Sequence, residues 1–273
     1  MKNILVFFLS YLFGRNVLFK LNLIFYKLTL YGIGYNNYLK NKKINGELRF
    51  LLPHLKKSKP KYCIDIGSNI GSYSEILLKN SKSKVVAFEP QTNCNRDLNK
   101  IRKKFNNRFE FYNFVLGEKP EKLYFNYSKK KSELASIVNH TSKINYINSK
   151  MFRRKLVKIH TLDSILYKKL QKELGLNCID FIKIDTEGFE LEVLKGAKKI
   201  LKRFKPNYIQ LELNWHHLFK GHNLWIIFEY ISQFSNYKVY KILPNSSIPI
   251  EINPSKPEHN LFNYSNYIFK RYK

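Results

Sequence analysis

At 273 residues, the chain suits one large domain or one domain with an extension, and 44% apolar residues with plentiful aromatics allow a sizeable core. Three cysteines, Cys63, Cys94 and Cys178, are few, widely spaced and form no CxxC pair, which argues against a disulfide scaffold or zinc site and for a reducing compartment. The formal net charge of +29 points to nucleic acid, anionic lipid or an acidic glycan. However, the basic residues are spread along the chain, over 40–61, 100–108, 119–131 and 195–205. Joint richness in Lys, Asn and Ile is also what AT-rich coding produces whatever the partner, and this plainer reading is the one adopted.

The first segment, 4–13, contains one polar residue, Ser10. It is too short to span a bilayer, and Arg15, Lys20 and Lys27 interrupt the next stretch of chain. Lys2 ahead of an apolar run suits a signal peptide, but Gly14-Arg15-Asn16 offers no small-x-small cleavage site. Asn16, Lys20 and Lys27 share a helical face opposite Leu18, Leu21, Phe25 and Leu28, which suits peripheral membrane contact through residues 1–30. The competing expectation, and the favoured one, is a helix pair packed on the domain. Residues 1–44 are therefore read as an apolar helical extension and 45–273 as the main domain.

From residue 61 the chain alternates short apolar runs with helical patterns, the mark of a parallel sheet. Strands are expected at 62–66, 85–89 and 109–116, with helices at 70–80 and 93–105 between them. A strand at 122–127 and an extended stretch at 156–160 flank residues 128–150, whose Ser, Lys and Asn content reads as a loop or lid. Ser136 lies there, within reach of a ligand. A helix at 162–174, a central strand at 179–185, a helix over 191–204, a strand at 208–213, a helix at 224–234 and edge strands at 237–243 and 264–270 complete the pattern. The fold expected is Rossmann-like α/β: a mostly parallel seven-stranded sheet, helices on both faces and an antiparallel last strand.

The sharpest motif is Asp65-Ile66-Gly67-Ser68-Asn69-Ile70-Gly71, which ends an apolar strand and opens a helix. Gly67 and Gly71 permit a tight turn and close approach of a ligand to the backbone. Glu89 ends the next strand, where a carboxylate can accept hydrogen bonds from both ribose hydroxyls of an adenosine ligand. NAD brings a pyrophosphate, which Asp65 would repel. The same carboxylate suits the ammonium of S-adenosylmethionine (SAM), directly or through water. Asp65, Gly67, Asn69, Gly71 and Glu89 are thus the candidate cofactor-binding residues.

The sequence resembles the FkbM family of methyltransferases in 65–74, in Phe88-Glu89-Pro90, in the long segment 181–197 and in the closing Asn266-Tyr267-Ile268-Phe269. Thr161-Leu162-Asp163 also looks family-like, and the likeness covers roughly 45–270. It implies a class I methyltransferase fold and SAM-dependent O-methylation, commonly of sugar hydroxyls in glycans or of natural products.

Ligands of open parallel sheets bind beyond the carboxyl ends of the strands. Asp185, Glu187 and Glu212 stand there and are the candidate catalytic residues, with Asp185 as general base. Lys183 shares a strand face with Asp185, and pairing with an acid is its expected role. Glu187 also suits a helix start. His216 and His217 are proton acceptors near neutral pH or a polar pair in a loop. Asp185, Glu212 and Asn214 occupy the positions of metal ligands in catechol-type O-methyltransferases, so Mg²⁺ on the acceptor oxygen is an alternative route.

Two rival functions stand beside this one. An RNA 2′-O-methyltransferase would suit the charge, but three acids at the acceptor side would repel a phosphate backbone, and no Pro-Pro motif of base-amine methylation occurs. Nucleic acid is therefore disfavoured. A non-catalytic adenosine- or glycan-binding module is the other. The function expected is that of a cytoplasmic, alternatively membrane-associated, enzyme with a small-molecule or glycan acceptor. The oligomeric state is left open by the sequence.

Overall fold

Apolar strands covered on both faces, joined by amphipathic helices, dictate a layered α/β architecture. The structure, a computed structural model, describes residues 2–36, 46–128, 137, 152–175 and 177–272. The bent helix pair α1 (Lys2–Phe13) and α2 (Phe19–Gly32) precedes α3 (Glu47–Ser58). Then come β1 (Tyr62–Ile66), α4 (Ser72–Asn80), β2 (Lys84–Phe88), α5 (Asn95–Phe105), β3 (Phe109–Tyr112), β4 (Val115–Leu116), β5 (Lys122–Ser128) and β6 (Phe152–His160). The second half contains α6 (Leu162–Leu174), β7 (Phe181–Ile184), α7 (Glu190–Lys195), α8 (Lys198–Phe204), β8 (Tyr208–Leu213), α9 (His216–Lys220), α10 (Leu224–Ser232), β9 (Tyr237–Lys241), β10 (Ile250–Ile252) and β11 (Ser265–Arg271).

The main sheet runs β10-β9-β11-β8-β7-β1-β2-β3. β3, β2, β1, β7 and β8 are parallel, and β11 is inserted antiparallel between β8 and β9. The antiparallel last strand is as expected. The strand count is eight and not seven, because β10 caps the edge; it has three residues, none of them buried, and so carries no alternating apolar signal. Ile64, Ile66, Val86, Ile182, Ile184 and Leu211 face one helical layer with Leu166, Leu194, Leu201 and Ile227. Cys63, Val85, Ala87 and Phe181 face the other, with Leu51, Leu55, Leu77 and Leu98.

Two expected elements divide. The strand at 109–116 splits into β3 in the main sheet and β4 in a separate sheet of order β4-β6-β5. Asn113 sits at the split and donates to the Glu89 carbonyl at 2.8 Å and to Asn95 Oδ1 at 2.7 Å. The helix over 191–204 breaks into α7 and α8. A Cβ at Gly196 would lie 1.9 Å from the Gly117 carbonyl oxygen, so the backbones touch there. Asp163 then restarts the helix by accepting from the Lys199 and Ile200 amides at 2.8 and 2.9 Å, an N-terminal cap supplied from another helix.

Among the described residues, the N-terminal pair does not show the favoured packing on the domain. Every side chain of residues 3–13 is exposed, and in α2 only Leu30 is buried. Ser136 and most of 128–150 lie outside the described residues; of these, Ile137 packs with Val115, Phe125, Ile159 and Phe189.

Candidate active site

The turn from β1 into α4 is built around neighbouring strand tips. In the parallel register Asp65 pairs with Ala87, two residues before Glu89. The Gly67 and Ser68 amides donate to the Phe88 carbonyl at 2.9 and 3.0 Å. Asn69, at φ +50°, donates its amide to Glu89 Oε2 at 2.8 Å, and the Gln91 amide donates to Oε1 at 2.9 Å. Burial pushes the Glu89 carboxyl up from its ordinary value, and these two amides oppose that. A carboxylate offers about four lone-pair sites, so Glu89 retains acceptor capacity toward a diol.

Protein contacts on the side of β1, β7 and α5 hold this turn. Asp65 does not line open space. It is completely buried and accepts from Ser74 Oγ at 2.6 Å, tying α4 to the strand end. The glycines also meet protein atoms. Gly67, at φ +81°, would place a Cβ 1.7 Å from the Asp185 carbonyl oxygen, and Gly71 would place one 2.5 Å from Ile101 Cδ1. Gly67 lets the turn lie directly against the end of β7, and Gly71 against α5.

That contact joins the turn to the acids beyond β7 and β8. Asp185, Glu187 and Glu212 each offer an oxygen within 4.8 Å of the others. Lys183 Nζ donates to Asp185 Oδ2 at 2.7 Å, the expected pairing. Burial alone would pull the Lys183 ammonium down, but Asp185, with Glu47, Asp65 and Glu212, outweighs it and holds the group above its ordinary value. Burial and then the Asp185 charge push Glu187 well up; burial, Asp185 and Glu187 do the same to Glu212. Three carboxyls at this range could hold a divalent cation. Beside them, Asn214 Nδ2 donates to Glu187 Oε2 at 2.7 Å and its Oδ1 accepts the His216 amide. The three carboxyls bring Glu187 together with Asp185 and Glu212 of the expected set.

Three supports were not foreseen in their roles. Glu190 is fully buried and accepts from the Thr186 amide at 2.7 Å and the Gly188 amide at 3.0 Å, with His217 Nε2 2.7 Å from its Oε2. It braces a loop in which Glu187 and Gly188 both have positive φ. His216 and His217 are buried in α9, not loop residues, and His216 Nε2 is 3.4 Å from Glu187 Oε2. Glu47, at the start of α3, accepts from Gln210 Nε2 at 2.9 Å and adds charge near Lys183. No motif around Glu47 signals this, because α3 approaches the site only through the fold.

The model of the methyltransferase FkbM domain matches residues 65–242, more than half of the chain. This chain belongs to the FkbM methyltransferase family. The match begins at Asp65 and ends before Asn266-Tyr267-Ile268-Phe269, so that closing segment lies outside it. No curated relative matches this FkbM methyltransferase. Among solved structures, the N-methyltransferase NodS from Bradyrhizobium japonicum WM9 is similar at 7% identity, over 86% of this chain and 100% of that one, with a TM-score of 0.44. An O-methyltransferase from Bacillus cereus in complex with SAH is similar at 12% identity, over 82% and 80%, with a TM-score of 0.41. Spermidine synthase from Thermotoga maritima is similar at 12% identity and a TM-score of 0.41, over 85% of this chain but 60% of its own length. These likenesses concern the fold alone.

Proposed function

We propose that this FkbM methyltransferase transfers a methyl group from SAM to a hydroxyl of a sugar in a glycan or of a natural product. The observation that carries the reading is the contact between the cofactor turn and the acids: Gly67 lies against the Asp185 carbonyl, and the Asp185 amide donates to Ile66 at 2.9 Å. A proton-accepting group therefore adjoins the space where an adenosine ligand of Glu89 would end. SAM bound there supplies an electrophilic methyl on a sulfonium. Glu89 accepts from the ribose diol, and the turn 67–71 fixes the ligand's depth. Asp185 would take the proton of the attacking hydroxyl as the new O–C bond forms and the S–C bond to the methyl breaks, its electron pair leaving with the sulfur as a neutral thioether, while Lys183 keeps the carboxylate in place. Glu187 and Glu212, pushed toward their protonated forms, both donate and accept hydrogen bonds and so suit an acceptor with several hydroxyls. A divalent cation on the three carboxyls is the alternative way to activate the hydroxyl. The free thiols support a reducing, cytoplasmic setting.

The test incubates the full chain with SAM and a panel of sugar and polyketide hydroxyl acceptors, and reads product mass and the position of the added methyl. An O-methyl product that disappears in Asp185→Asn, with SAM still bound, supports the reading. Methylation of amine acceptors alone would overturn it.

A further inference from the structure

The apolar character of α1 and α2 points outward in the folded protein. Ile4 and Phe7 are each 74% exposed, Ile24 and Phe25 each 55%, and most aromatic and aliphatic residues between them are exposed as well. A contiguous patch of this kind marks an interaction surface. Its occupant is set by charge and length. No Asp or Glu occurs before Glu47, whereas Arg15 stands at the junction of the two helices and Lys20 and Lys27 lie on α2, so the surface complements an anionic apolar phase. At 12 and 14 residues, α1 and α2 measure about 18 and 21 Å, short of the roughly 30 Å hydrocarbon core, and they bend by 77°. Neither helix alone is long enough to cross, and the bend lays the two along a surface.

The far end of α2 is clamped to the carboxyl edge of the sheet. Tyr35 is fully buried, Ser265 Oγ donates to the Gly34 carbonyl at 2.9 Å, and the Asn36 amide donates to the Tyr264 carbonyl at 2.8 Å. The Tyr264 phenol in turn donates to Glu212. The apolar pair thus leaves the domain beside the acids beyond β8.

We propose that α1 and α2 seat the enzyme on an anionic membrane surface and hold the Asp185–Glu187–Glu212 edge close to that surface. The membrane binding itself does not rest on the methyl-transfer reading. Its consequence for that reading is an acceptor hydroxyl carried by an amphiphilic, membrane-borne molecule.

The test is flotation of the full chain with phosphatidylcholine vesicles, with and without phosphatidylglycerol, and the same for Phe7→Ser/Phe8→Ser/Ile24→Ser/Phe25→Ser. The wild type floats with the anionic vesicles and about tenfold more weakly with the neutral ones. The quadruple variant, with an unchanged circular-dichroism melt, loses binding by about tenfold or more. Three outcomes overturn the proposal. One is a wild type that stays at the bottom of the gradient with both vesicles. Another is a variant that floats as well as wild type, which assigns binding to the basic body. The third is a stable dimer that the four substitutions dissolve and that ignores vesicles, which assigns the patch to a second copy.

Discussion

At the tip of β2, Glu89 has a backbone amide on each carboxylate oxygen. Beyond β7 and β8, Asp185, Glu187 and Glu212 crowd within 4.8 Å, with Lys183 the cation bridged to Asp185. The first acid is fixed by main chain in a shape that needs no rearrangement, as suits recognition of an invariant ligand. The second group crowds like charges, and burial with the neighbouring acids pushes Glu187 and Glu212 up from their ordinary values. Such a site changes state when a proton, a cation or a polar acceptor arrives. In the proposed function, recognition falls to the settled corner and chemistry to the unsettled one.

The contrast breaks most sharply at Asp185. Asp185→Asn is expected to lower kcat by about 10²- to 10⁴-fold, the usual range for a general base, and to leave the SAM dissociation constant unchanged in calorimetry. An unchanged kcat would end its assignment as the base. Gly67→Ala is expected to damage both corners at once, since φ +81° and a 1.7 Å approach to the Asp185 carbonyl leave no room for a methyl. Denaturant unfolding should show a loss of at least about 3 kcal/mol. Glu89→Gln is expected to weaken SAM binding by roughly ten- to a hundredfold, as expected for losing hydrogen bonds to a charged acceptor. With SAM saturating, its kcat should stay near wild type; a fall in kcat instead would blur the division of labour.

The smallest effect sharpens the comparison through pH. Glu212 sits well above its ordinary value of 4.5 in the folded chain. The folded state then holds this proton while the unfolded state has lost it, so stability falls as pH climbs from about 4.5 toward the folded value. Glu212→Gln removes that dependence, and its melting temperature relative to wild type is expected to rise with pH across that window. Parallel profiles for the two proteins would contradict the crowding.

Much of this architecture is readable before folding is considered, and the exceptions have physical causes. The predicted helix at 162–174 and strand at 208–213 match α6 and β8 because local signals agree with tertiary ones: Thr161 accepts from Ser164 N at 3.0 Å as a cap, and Gly175 ends the helix. The helix over 191–204 reads as continuous because its apolar spacing persists through a break where the Gly117 backbone lies against Gly196 and Asp163 caps the next turn, contacts made by distant parts of the chain. At the site, the acids are visible as residue types at strand tips, whereas their neighbours are not. Glu47 arrives from a remote helix, Tyr264 from the residue just ahead of the strand inserted backwards, and the Asn214 bond to Glu187 depends on where an amide nitrogen points. The same distinction explains α1 and α2. Their amphipathic pattern is in the sequence, but what covers the apolar side is decided by the rest of the molecule, and among the described residues nothing does.

The Glu190 brace has a consequence for how this protein would fail. Burial would lift Glu190, but His217 and the donors of its own loop hold it below 4.5. Its contribution is complete above that value and is lost as pH falls through the lower folded-state one. Glu190 supports both α9 and the segment carrying Glu187, so acid should loosen this brace even as it relieves the crowding of Glu187 and Glu212, and the loop, not the β-scaffold, is where the two opposing effects meet.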